Sequence, residues 1–152
     1  MTLCPDAAIM GGAMGVESFE FSVELEGYCH LEDITERVQQ CLERSGIRNG
    51  IACVAVVGST GAIGTLEFEP GLIKDLPEFF ESILPSNRPY HHDDTWHDGN
   101  GFSHMRSFLA KTSQSFPVSD GKLALGTWQQ VVLANFDNRR RSRRVVVQLV
   151  GE

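Results

Sequence analysis

From Phe19 to Glu26 the chain alternates with a period of two. Phe19, Phe21, Val23 and Leu25 fall on one side, and Glu20, Ser22, Glu24 and Glu26 on the other. Successive side chains of a strand point to opposite faces, so FEFSVELEGY (19–28) reads as a strand with one face buried and one in water. Such a strand needs partners, and the rest of the chain offers them. IACVAVV (51–57) is continuous and β-branched, as a buried strand is; GSTGAIG (58–64) breaks it, and TLEF (65–68) resumes it. The C-terminal third runs SQSFPV, a turn at SDG, KLALGTWQQVVLANF, a turn at DN, then an arginine run into VVVQLV.

Helical patterns lie between these strands. In DITERVQQCLERSG, Asp33 and Glu36 fit a cap with a residue reaching back, and Ile34, Val38, Cys41 and Leu42 form one apolar stripe. Gly46 fits its C-terminal stop. A second helix is predicted over roughly 72–84, with Pro77 near its start, Asp75 and Glu78 as caps, and Leu76, Phe79, Phe80 and Ile83 buried. SHMRSFLAK (103–111) predicts a short helix capped by Ser103, and 85–102 reads as a polar connection. The order implies an α+β fold: mostly antiparallel packed sheets with two to three helices. One domain is expected over 18–152, after an N-terminal extension over 1–17.

The formal net charge of -7 argues against general nucleic-acid affinity. The charge is uneven. RRRSRR (139–144) holds five of the 13 Lys and Arg, and without them the balance is 8 minus 20, or -12. The run reads as a charged hairpin that discourages edge pairing, or as a source of one or two arginines for a phosphorylated ligand or a neighbouring subunit. Cys4, Cys29, Cys41 and Cys53 form no CxxC pair and read as core thiols. No apolar run approaches the roughly 20 residues of a membrane span. No Lys or Arg precedes Arg37, so the start lacks a basic signal-peptide region, and a cytoplasmic location is expected.

PYHHDDTWHDGNGFSH (89–104) concentrates His91, His92, His97 and His104 among Asp93, Asp94 and Asp98. Imidazole is the commonest ligand for borderline metals. The spacing of His92, His97 and His104 matches neither a helical pair nor a zinc finger, so a site requires a loop that folds back. From spacing alone a metal site, a metal-free acid/base site and a solvated loop all stay open. Gly99, Asn100 and Gly101 allow close backbone approach to a ligand, and the helix beginning near Ser103 offers free amides to phosphate or carboxylate. Arg106 is a fork-shaped candidate partner for such an anion, or a solvated helix residue. The Gly-rich turn with Thr60 also offers amides, although it lacks the lysine of a P-loop.

Several of these stretches carry a resemblance. Tyr90 through Gly99-Asn100 to Ser103-His104, FPVSDGKLALGTWQQ (116–130) and FDNRRRSRRVVVQ, with DIT, SGI and STGAIGTLE upstream, resemble the YjbQ-like family over roughly 18–151. This family is often named secondary thiamine-phosphate synthase. The resemblance implies a compact α+β homotrimer, with a pocket lined by the histidine segment at or near a subunit interface. It carries metal-ligand roles to His92 and His104. Family members commonly have a histidine where this chain has Gly58, and His97 is the candidate replacement. They often have an acid where this chain has Phe102, and Asp94 and Asp98 are the candidates to take its catalytic role beside His104. The implied reaction joins a pyrimidine pyrophosphate to a thiazole phosphate and releases pyrophosphate. The implied cofactor is a divalent metal, zinc or magnesium. Thr60, Asn100, Gly101, Ser103 and Arg106 would hold phosphate, and Trp96 or Trp128 would stack on a flat ring, although Trp128 in a strand reads as core. A metal-dependent hydrolase of a small phosphorylated or amide substrate, or a non-catalytic binder, fits the same residues. The expected partners are further copies of the chain and a small phosphorylated molecule, with neither nucleic acid nor membrane.

Overall fold

The structure is a computed structural model and describes residues 14–152. Cys4 and most of the expected extension lie outside the described residues. Strand β1 (Gly15–Leu25) pairs along its whole length with β8 (Arg141–Gly151). β8 also pairs with β3 (Gly50–Val56), β3 with β5 (Ser113–Ser119), and β5 with β6 (Lys122–Leu123). This gives a five-stranded sheet in the order β1-β8-β3-β5-β6. A second sheet has β7 (Gln130–Asn135) between β2 (His30–Asp33) and β4 (Gly61–Leu66). All these pairings are antiparallel, and only β5 and β6 are consecutive strands joined by a tight turn.

The core lies between these sheets. Val23 and Leu25, Val54 and Val56, Leu133, and Val145, Val147 and Leu149 meet there with Val38, Cys41 and Leu42 of α1 (Thr35–Ser45). The back of the smaller sheet carries a second cluster of Leu31, Ala62, Val132, Ala134 and Phe136, with Phe80 of α2 (Leu72–Ile83) packed on it. β7 therefore has both faces covered, which is why VVLA is continuous rather than alternating. Cys29 and Cys41 are buried thiols and Cys53 is half-buried. Burial pushes the Cys29 thiol up to about 12, so it is inert.

Among the described residues four helices form, more than the two to three expected. The additional one is α3 (His91–Trp96), inside the stretch read as a polar connection. The last, α4 (Gly101–Ala110), begins two residues earlier than expected, with Asn100 as N-cap. Ser103 is in its first turn, and its hydroxyl donates back to the Asn100 carbonyl at 2.7 Å. At α1, Asp33 accepts from both the amide and the hydroxyl of Thr35. α2 starts at Leu72, and the Glu69 carboxylate takes its first amides, so Pro77 is inside the helix rather than near its start. Gly61–Gly64 belongs to β4, which confines the break after β3 to 57–60.

Trp128 corrects another expectation. It lies in a turn after β6, 70% exposed, not in a strand core. Trp128→Ala should therefore change the unfolding free energy by no more than about 0.5 kcal/mol in thermal melts at low protein concentration. A loss near the ~3–5 kcal/mol of a buried aromatic would contradict this placement.

Candidate functional site

The α3–α4 segment folds back on itself, as a histidine site requires. Gly101 is the contact point. A Cβ there would stand 2.4 Å from the Tyr90 Cβ, so only glycine lets α4 start against α3. Asp93 locks the fold-back by accepting the Gly101 amide at 3.1 Å and the Tyr90 amide at 3.3 Å. The result brings His92 and His104 together, with ring centroids 4.4 Å apart. His92 Nε2 is buried without a hydrogen-bond partner, and Asp98 Oδ1 lies 3.7 Å from it. Burial holds the His104 pKa below the ordinary 6.5, and His92 pushes the same way against Asp98, Asp137 and a bond to the Ser59 backbone. That bond favours the charged ring, so the imidazole is the donor and the Ser59 carbonyl the acceptor.

The other named candidates are placed differently. His97 ends α3 in a left-handed conformation (φ 54°) and is exposed. Among the described residues no group of three or more His, Cys, Asp and Glu side chains is arranged to hold a metal, so His97 does not complete the pair. Asp94 is exposed beside His91, whereas Asp98 borders the pair. Trp96 is 69% exposed.

The amides expected to greet an anion at the start of α4 are used within the chain. Gly101 N–H goes to Asp93 and Ser103 N–H to the Asn100 carbonyl. The Asn100 carboxamide oxygen accepts from Ser103 Oγ and from the Asn138 amide. Arg106 is also committed. It is 1% exposed, donates twice to the Leu84 carbonyl and bonds Glu81, and its guanidinium lies over the Phe102 ring at 4.8 Å. It pins the end of α2 to α4 rather than facing the histidines.

The sequence reading missed a buried polar cluster beside the pair. Asp137, in the loop after β7, is 1% exposed. Its Oδ2 accepts from Thr60 Oγ1 and Arg141 Nε, both at 2.9 Å. Burial opposes its charge, but the bonds from Arg141 and Thr60 outweigh burial and hold the carboxyl below its usual range. Arg143 is 6% exposed and donates to the Thr60 carbonyl, the Thr60 hydroxyl and the Asn135 side chain. The signal for it was available. Alternation along β8 puts Arg143 on the same face as Val145, Val147 and Leu149. Arg141 and Arg143 thus belong to a strand interior, not to a hairpin turn. The Gly58–Ser59 loop and α4 enclose an open cleft of ≈ 400 Å³, lined also by Ser107, Lys111 and Thr112, and His104 stands at its wall.

Two packed antiparallel sheets, a fold-back that pairs two histidines, a buried Arg–Asp cluster and an open cleft with His104 in its wall define a small α+β domain. The chain belongs to the family described as UPF0047 protein YjbQ-like, whose model matches residues 19–152. It is 38% identical over 142 residues to a UPF0047 protein of Methanothermobacter thermautotrophicus, covering 93% of this chain and 97% of that one. It is 40% identical over 116 residues to a UPF0047 protein of Archaeoglobus fulgidus, covering 76% and 87%. Among solved structures, a YbjQ-like protein of unknown function from Sulfolobus solfataricus superposes with a TM-score of 0.87 at 34% identity, over 91% of this chain and 99% of that one. A hypothetical protein from Aeropyrum pernix gives 0.83 at 32% identity, over 90% and 99%. No described helix is long and apolar enough to cross a membrane.

Proposed function

We propose that the chain is a metal-assisted enzyme acting on a small phosphorylated molecule, with His92 and His104 as the metal-holding pair. One observation carries this reading: the buried Nε2 of His92, without a partner, against an imidazole held neutral. A buried polar atom left unpaired costs about 1–3 kcal/mol, and an ion or water is the usual remedy. The residues offer a metal two imidazole ligands, and Asp98 stands near His92 without making a third ligand of the arrangement. Imidazoles suit zinc better than magnesium, which prefers oxygen. When bound, a divalent ion there supplies a Lewis acid for phosphate oxygens. The chain's own groups do the rest. The Ser59 backbone beside His104 favours a proton on the ring nitrogen that faces it, which would leave the other nitrogen for a metal. Asp98 stands where it can hold a proton beside His92. Thr60, Asp137 and Arg143 keep the cleft floor rigid.

Joining a pyrimidine pyrophosphate to a thiazole phosphate is the specific form of this chemistry that the resemblance implies. The protein acts as a homotrimer in this reading, supported by the outer face of the five-stranded sheet. Val16, Ile51 and Val150 are exposed there. Val16 and Ile51 both lie directly opposite Val150, so the apolar groups are contiguous.

The test is metal analysis of the purified protein, light scattering, and an assay with each substrate alone and both together, with zinc, magnesium or chelator. Bound zinc, a threefold mass and metal-dependent product only from the pair are the expected results. Phosphate release from one substrate alone would make it a hydrolase, and metal binding without turnover a binder. A protein that takes up no metal would reject the reading, and a monomer at micromolar concentration would reject the trimer.

A further inference from the structure

Arg143 has more hydrogen-bonding capacity than its neighbours use. Its contacts with Asn135, Thr60 and Asp137 all run through Nε and Nη2. Nη1 takes part in none of them. It lies 3.2 Å from the point where a Cβ on Gly58 would sit. Gly58 has φ +148°, which a residue with a side chain rarely adopts. The backbone thus calls for glycine here, and its bare Cα leaves Nη1 beside a residue that lines the cleft.

The local charge points the same way. Asp137 is the buried acid of the cluster, and Arg141 holds its Oδ2 at 2.9 Å, whereas Arg143 stands at 3.7 Å. Two guanidinium groups share one carboxylate, which leaves one positive charge over. An arginine cannot shed its proton to escape burial, so an anion is the complement it lacks. A second cation stands at the cleft. Lys111 lines it, with its ammonium held 4.5 Å over the Phe108 ring.

We propose that Arg143 Nη1, reached past Gly58, and Lys111 form an oxyanion subsite beside His104 that takes a phosphate group of the substrate. This gives the phosphate a different seat from the start of α4, where the Gly101 and Ser103 amides and Arg106 are already engaged. The site rests on the proposed function for the identity of its ligand as a phosphorylated molecule, but not for its capacity to bind an oxyanion.

The experiment titrates inorganic phosphate into metal-free protein, by calorimetry and by NMR of the arginine side-chain nitrogens, with acetate as a second probe. Wild type should bind phosphate and shift the Arg143 resonances. Gly58→Ala, which puts a methyl group against Nη1, should weaken phosphate binding about tenfold or more, the scale of a charge-assisted bond. Lys111→Gln should weaken it several-fold. Arg143→Lys keeps the charge and should still lose most of the affinity, because a lysine lacks the fork. Arg143 is buried and its variant can fail to fold, and Gly58→Ala also strains its own loop, so Lys111→Gln and the shift of the wild-type Arg143 resonances decide the matter. Wild type that does not bind phosphate at millimolar concentration or binds it with the Arg143 resonances unmoved, or Lys111→Gln binding it as wild type does, overturns the proposal. Zinc titration of the same proteins reports separately on His92 and His104. Lost zinc binding with phosphate binding intact would count against the metal reading alone.

Discussion

Arg106→Ala should lower the unfolding free energy by about 3 kcal/mol, the lower end of what removing one partner from a buried ion pair costs. The lower end applies because the Glu81 side chain is 45% exposed and can return to water. Most of the loss comes from elsewhere. The Leu84 carbonyl at the end of α2 loses both of its bonds from Arg106, and the Phe102 ring loses the guanidinium lying over it. The variant also leaves a hole where one of the largest fully buried side chains had been. In a chain of this size the shift corresponds to roughly 6–12 °C in Tm. Arg106→Lys should recover little of it, since an ammonium on a flexible stem cannot place two donors on one carbonyl. Urea unfolding is the measurement. A fall of less than about 1 kcal/mol at unchanged slope would mean that Arg106 is not the clamp between α2 and α4.

For His104→Ala the expected result is loss of metal binding by about a hundredfold or more, beyond what loss of an outer-shell partner costs, and loss of any metal-dependent turnover. The protein should stay folded, because His104 is only partly buried at the cleft wall. The pH dependence has a definite sign. The neutral imidazole binds metal, and burial keeps His104 neutral below the ordinary 6.5. Protons should therefore begin to displace metal at a lower pH than an exposed histidine would allow. Stability runs the other way. The unfolded chain takes up this proton near 6.5 while the folded site still resists it, so the site costs stability as pH falls below that value. His104→Ala should remove this part of the acid sensitivity. A variant that keeps full metal occupancy would place the site elsewhere, and one that fails to fold would make His104 structural.

Much of the fold can be read from periodicity. The alternation from Phe19 to Leu25 and the continuous VVLA of β7 have the faces and burial that their patterns imply. α3 was hidden because it is a single polar turn and a half whose existence depends on Asp93 reaching Gly101 and Tyr90, which has no periodic trace. The His92–His104 contact was legible in the clustering of histidines and in the resemblance. Arg106 was misplaced because its charge suggested a ligand, whereas its partners are a carbonyl and a carboxylate 22 and 25 residues away in sequence. Arg143 was lost inside a run of like residues, where composition drew attention away from alternation.

β8 pairs with β1 on one side and β3 on the other, and its inward row begins with Arg143 and continues through Val145, Val147 and Leu149. Deleting Arg144, the one residue between Arg143 and Val145, would move Arg143 to the outer face and carry Ser142 inside, because a slip of one turns a strand over. The spacing between the arginine and the valines is therefore under a parity constraint: an even change keeps the arginine on the inner face and an odd change turns it outward.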